Sequence, residues 1–207
     1  MSIKTKAILL VVFLLILDQA SKIYIKMNFP ISSGNHNVTE IFSWFKITFI
    51  ENEGAAFGMK IIGKLFLTLF RMVAIVILAT FIHKLIKRKA RVGYILAISV
   101  LLAGAIGNLL DSMFYGILFS ASTENSVATF LPQGGGYAPF LYGKVVDMFY
   151  FPIIYDNTGD VIFFKWIFNV ADSCVTVSVI TILLFFRKDL NESLENKKVM
   201  EQPDAEA

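Results

Sequence analysis

The residues able to do chemistry in this 207-residue chain are carboxylates and carboxamides set among apolar neighbours. Asp18, Gln19 and Lys22 interrupt an apolar run, and Asp18 and Lys22, at i,i+4, share one helical face. Asn108 and Asp111 stand at i,i+3 beyond Gly104 and Gly107, and Asn169 and Asp172 repeat that spacing. Asp147 lies in Val145-Val146-Asp147-Met148, whose apolar neighbours offer it no local partner. Nucleophilic catalysis has no comparable pattern. The two histidines, His36 and His83, are far apart, and the single cysteine, Cys174, sits in an apolar run with no histidine near it. No Cys/His spacing suits a metal, and no cofactor is expected. Paired-carboxylate chemistry remains. Two aspartates at short range share a proton, because both cannot ionise easily. One then activates water as a base and the other protonates a departing amine. Such a pair titrates as a unit, so the sequence leaves open which member carries the proton.

Each group also has a plainer role. Asp18 with Lys22 reads first as a neutralised pair supporting a bundle. Asn108 suits a hydrogen bond between helices, with Gly104 and Gly107 allowing close approach. Asp172 near a helix start compensates the helix dipole.

The elements that must position these groups are membrane spans. Of the chain, 56% is hydrophobic and only 17% charged, 20 residues are Phe, and mean hydropathy is +0.67. Soluble domains run nearer ~45–50% apolar and ~25% charged. A formal charge of +3 gives no reason to expect nucleic acid as a partner. Four segments, about 7–27, 61–86, 92–116 and 166–186, have the roughly 20 apolar residues that cross a hydrocarbon core. The first begins after Lys4 and Lys6 but ends in Asp18-Gln19-Ala20-Ser21-Lys22, unlike a cleavable signal peptide. Arg71 lies within the second span, where an arginine either faces the bundle interior or snorkels. Lys4 and Lys6, the cluster Lys84, Lys87, Arg88, Lys89 and Arg91, and Arg187 with Lys188 all fall on one side of a four-span bundle. The positive-inside rule makes that side, with both termini, cytoplasmic. The segments 28–60 and 117–165 are then outside, and all four polar clusters lie near the outer membrane boundary. Within those segments Ile41–Ile50 reads as a strand, Val161–Phe164 as a shorter one after the Asn157-Thr158-Gly159 turn, and Gln133-Gly134-Gly135-Gly136 as a loop tip.

At these residues the chain resembles a known family. Asp18-Gln19-x-x-Lys22, Asn52-x-Gly54-Ala55-Ala56-Phe57, Gly107-Asn108-x-x-Asp111, Val145-Val146-Asp147 and Phe168-Asn169-x-Ala171-Asp172-Ser173 are similar, in order, to the motifs of lipoprotein signal peptidase, or signal peptidase II. The resemblance covers residues 5–187. It implies a membrane α-helical fold of four transmembrane helices with a small extracytoplasmic β-cradle and a lid-like helix. It implies an aspartic endopeptidase of the bacterial inner membrane, cutting diacylglyceryl-modified prolipoproteins just before the lipidated cysteine. By motif match Asp147 and Asp172 are catalytic. Asn52, Gly54, Asn108, Asp111 and Asn169 bind substrate or orient the site, and Asp18 and Lys22 form a structural polar pair. Residues 1–188 make one integral membrane peptidase domain, and 189–207 a cytoplasmic, disordered tail. The expected partners are the lipid-modified substrate and membrane lipid, with the chain a monomer. Two departures stand out: Ser112 occupies the place after Asp111 where the family has arginine, and the stretch between Gly116 and Gly143 is long, suiting a lid or rim. Two other classes compete. A proton-coupled transporter would use intramembrane carboxylates but tends to show internal repeats, and none is seen. A non-enzymatic assembly factor would tolerate replacement of Asp147 and Asp172.

Overall fold

The computed structural model describes residues 1–34, 36–53, 60–156 and 161–201. Four long helices form a bundle. α1 is Ile3–Asn28, α2 Lys60–Lys87, and α3 Val92–Leu110, which runs on through a π-helical turn, Asp111–Tyr115, into the short α4, Gly116–Leu118. α5, Val170–Phe185, follows the strands, and α6, Arg187–Glu201, turns 90° away from it. α1, α2 and α3 with its extension are each long and apolar enough to cross a membrane. α5 is shorter, about 24 Å at ~1.5 Å per residue, and counts as a fourth candidate span only together with the start of α6, bent 90° from it.

Why the helices suit lipid is visible in their outward faces. Phe66 and Leu184 are each 69% exposed, and Phe13, Val76 and Phe70 are exposed with them. In water such a continuous apolar belt would drive association. Inside, Leu85, Tyr94, Ile95, Ile98 and Ile182 form the bundle core. Ile3, Phe186 and Leu190 pack on that cluster, which gathers the α1 start, the α2–α3 turn and the α5–α6 corner at one end.

The opposite end carries a four-stranded antiparallel sheet in the order β1-β2-β3-β6, with β1 Val38–Phe42, β2 Phe45–Asn52, β3 Val145–Tyr150 and β6 Ile167–Phe168. β4, Ile154–Tyr155, and β5, Val161–Phe163, pair separately. One sheet face closes a second core of Ile25, Phe49, Tyr115, Phe119, Val146 and Met148.

Two expectations need correction. The single strand over Ile41–Ile50 is a hairpin, β1 and β2, broken at Ser43-Trp44, where Phe42 pairs directly with Phe45. The fourth span does not begin at Trp166. Ile167 and Phe168 pair with Tyr150 and Phe149 in the sheet, and the helix starts only after Asn169. From residue 189 the chain is helical as far as Glu201, its Leu190 packing on the bundle core. The 117–143 stretch is expected from the sequence as a lid or rim. It folds back on the end of α3, with Ala138 N donating to Gly116 O at 3.0 Å and Gly143 N to Ser112 O at 2.9 Å. Gly143 lies so close to the Asp111 carbonyl that a Cβ there would collide with it. No separate lid-like helix stands among the described residues. Gly54 and the Asn157-Thr158-Gly159 turn lie outside them.

Candidate active site

The helix α5 begins where it does because of a capping box. Asn169 Oδ1 accepts from Asp172 N at 2.8 Å, and Asp172 Oδ2 accepts from Asn169 N at 3.3 Å. Such caps satisfy otherwise orphaned amides and contribute about 1 kcal/mol. The same Asn169 is fully buried, and its Nδ2 donates to Asp147 Oδ1 at 2.6 Å. One carboxamide therefore touches both aspartates, one through a helix cap and the other through a strand.

Asp147 is aimed by the sheet. Between the pairs Ile47–Phe149 and Ile50–Asp147 the β2–β3 register slips. A bulge of this kind re-aims side chains. Val146 and Met148 turn into the core behind the sheet, while Asp147 faces forward. It is 2% exposed, and Asn52 Nδ2 reaches its Oδ2 at 3.3 Å. Burial, and then the charge of Asp172, push the Asp147 carboxyl up to about 7, against the opposing pull of the Asn169 and Asn52 hydrogen bonds.

A second layer fixes these amides. Lys22 is fully buried and has three protons and three acceptors: Asp18 Oδ2 at 2.9 Å, Asp111 Oδ2 at 2.8 Å and Asn108 Oδ1 at 2.9 Å. With Oδ1 of Asn108 turned to the ammonium, its Nδ2 must face the other way, and it donates to Asp172 Oδ1 at 2.8 Å. Asp111, fully buried, accepts from Gln19 Nε2 at 2.9 Å and from Val146 N at 3.3 Å, which holds the strand one residue before Asp147. Asp18 Oδ1 accepts from Ala171 N at 2.9 Å, in the first turn of α5. The Asp18–Lys22 pair is thus no separate strut; it is joined to both aspartates through Asn108 and α5. The close approach depends on Gly107, where a Cβ would stand 2.6 Å from Asp18 Oδ2.

The structure therefore brings together Asp18, Lys22, Asn52, Asn108, Asp111, Asp147, Asn169 and Asp172. A cavity of about 480 Å³ opens on Asp147, lined also by Ile50, Asn52 and Ile167. Such an array, two carboxylates locked by neutral amides with one of them open to a cavity, suits the activation of water.

A profile of the signal peptidase (SPase) II family matches residues 10–187. The chain belongs to this family. The lipoprotein signal peptidase of Porphyromonas gingivalis is 38% identical over 201 residues, 92% of this chain and 87% of that protein. The lipoprotein signal peptidase of Chlorobaculum tepidum is 30% identical over 75% of this chain and 78% of its own length. A bacterial membrane enzyme structure solved by the in meso method at 1.9 Å superposes with a TM-score of 0.60 at 29% identity, covering 89% of this chain and 94% of that one. As a member of the signal peptidase II family the chain is a multi-pass membrane peptidase.

Several residues to which the sequence assigned no defined role in the site join this network. The arginine missing at position 112 has a counterpart in space: Arg71 Nη1 donates to Ser112 Oγ at 3.1 Å, and Ser112 Oγ to Asn108 O at 3.0 Å. Arg71 thus faces the bundle interior. Tyr115 OH donates to Gln19 Oε1 at 3.1 Å, fixing that amide too. Behind the sheet Lys26, fully buried, pairs with Glu51 and Ser122. The i+4 stripe Asp18, Lys22, Lys26 was the signal for it.

Proposed function

We propose that the chain is an aspartic endopeptidase of the bacterial inner membrane. It removes signal peptides from diacylglyceryl-modified prolipoproteins, cutting just before the lipidated cysteine, with Asp147 and Asp172 as the catalytic pair. The observation that carries this reading is Asn169, whose carboxamide donates to Asp147 Oδ1 and whose backbone N–H donates to Asp172 Oδ2, beside a cavity that opens on Asp147. Asp172 sits in the first turn of α5, where the helix dipole favours negative charge and Asn108 Nδ2 donates to it. Asp147, pushed up to about 7, is placed to carry the proton the pair shares.

In this mechanism water lies between the two carboxyls. Asp172 takes its proton as its oxygen attacks the scissile carbonyl, and the Asp147 proton passes to the carbonyl oxygen. When the tetrahedral adduct collapses, the proton held by Asp172 goes to the departing amine of the cysteine and a hydroxyl proton of the adduct returns to Asp147, which restores the shared proton. Burial of the pair strengthens each of these interactions. The sheet is extracytoplasmic, both termini are cytoplasmic, and a single chain suffices.

The test replaces each carboxylate by its amide. Asp147→Asn and Asp172→Asn each lower cleavage of a diacylglyceryl-modified precursor by at least about 10²–10⁴-fold, with folded protein still in the membrane. Substantial turnover by either purified variant refutes the assignment.

A further inference from the structure

The cavity at Asp147 does not end there. It shares Ile50, Lys165 and Ile167 with a second groove of about 680 Å³, which continues over the same face of the sheet past Thr48, Lys46 and Tyr150. Ile50 is the cross-strand partner of Asp147, and Lys46 lies four residues further along β2. At ~3.3 Å per residue that run is about 13 Å, room for about four residues of extended peptide. The groove has two marks of a binding surface. Thr48 is 5% exposed, yet its Oγ1 has no hydrogen-bond partner among the described residues, and it lines the groove. Leaving such a hydroxyl unpaired is unfavourable. The described charges lining this groove are both positive, the exposed Lys165 and the partly exposed Lys46. Lys46 pairs at 2.8 Å with Glu40, itself 58% exposed, a contact water screens heavily. The glutamates near Asp147 are already engaged, Glu51 by Lys26 and Lys144 and Glu53 by Lys144 at 3.2 Å.

We propose that this groove binds the substrate segment on the carboxyl side of the scissile bond, and that it favours a segment carrying Asp or Glu within about four residues of the cut. The inference rests on the peptidase reading above. A signal helix must stay among the spans, so the chain leaving Asp147 in the other direction runs out over the sheet. There Thr48 Oγ1 meets a backbone or carboxylate group, and Lys165 and Lys46 meet the acid.

The experiment uses the full chain in nanodiscs with three diacylglyceryl-modified precursors. These differ only at the third and fourth positions after the cleavage cysteine, which are both Asp, both Ser or both Lys. The wild type shows kcat/KM in the order Asp, Ser, Lys, with about fivefold per step, the scale of a partly exposed ion pair. Lys165→Glu, at an exposed position that folding tolerates, inverts the order. Thr48→Val lowers kcat/KM for all three precursors. Equal kcat/KM for the three with the wild type, or an unchanged order with Lys165→Glu, overturns the groove assignment and leaves the peptidase reading standing. Cleavage of none of them overturns both.

Discussion

At the scale of single residues, the site is governed by which groups are forced to hold charge away from water. Asp147 is the clearest case, because burial pushes its carboxyl up to about 7. In the unfolded chain an aspartate loses its proton near pH 4. Between about pH 4 and 7 the folded protein therefore holds a proton that the unfolded chain has released, and stability falls as pH rises through that window. Above pH 7 the folded state carries a buried charge. Asp147→Asn removes this penalty while keeping an acceptor for Asn169. The variant is expected to be inactive yet more stable than the wild type at pH 8, by an amount on the order of a few kcal/mol. The gain shrinks to nothing near pH 4. Thermal unfolding of both proteins in one detergent at the two pH values checks it, and an equal difference at both would show that burial of Asp147 is not its source. Arg71 makes the second case. A guanidinium inside a span is costly, and this one is held by Ser112, one turn from the Asn108 that positions Asp172. Hydrogen bonds to charged groups contribute about 1.5–3 kcal/mol, so Arg71→Met should slow cleavage about 10–100-fold. Arg71→Lys should recover part of that loss. Wild-type rates in Arg71→Met would make the arginine dispensable.

At the scale of elements, what matters is how closely three helices approach beneath the sheet. α1, α3 and α5 meet where Gly107 faces Asp18 and where Gly104 faces the Ala171 carbonyl, 2.5 Å from where a Cβ would stand. Small residues at such crossings let polar side chains reach across. Gly107→Ala pushes a methyl group onto the carboxylate that receives Ala171 N and Lys22. It is expected to destabilise the fold by about 1–3 kcal/mol and to lower kcat more than it raises KM, because it moves α5 and Asp172 rather than the groove. Unfolding and steady-state kinetics on the same preparation check both parts. The elements were unevenly legible in the sequence. The spans were readable because a long apolar run bounded by lysine and arginine has few other meanings, and the observed α1 and α2 lie within a few residues of the expected bounds. The turn at Ser43-Trp44 was not, because a lone serine among aromatic and β-branched residues is a weak turn signal and the break comes from pairing across the hairpin. The start of α5 was misread because Ile167 and Phe168 are as apolar as the helix that follows. Only their pairing with β3 makes them a strand. The motif residues could be ranked from spacing, but the path from Arg71 to Ser112 joins residues 41 positions apart and leaves no local pattern.

At the scale of the whole molecule, the fold is a polar assembly placed at one end of an apolar bundle, and its working depends on which way that bundle is inserted. The basic residues of the α1 start, the α2–α3 turn and the α5–α6 corner lie at the end away from the sheet. There Arg91 stacks on Phe186 at 4.9 Å and approaches Asp189 at 3.9 Å. Positive charge of that density is retained on the cytoplasmic side. On the proposed function the sheet, the aspartates and the groove are then expected to face outward, where an exported precursor would arrive. Cysteine labelling with a membrane-impermeant reagent tests this orientation after Cys174→Ser. The structure fixes where the probes should go. Ser122 is unsuitable because it is buried against Lys26. Gly134, in the turn at the loop tip, has open space around it, and Asn191 on α6 is exposed. Gly134→Cys should label in intact cells. Asn191→Cys should label only after the membrane is broken. The reverse pattern would put the aspartate pair on the wrong side for an exported substrate and would overturn the assignment of the outer face.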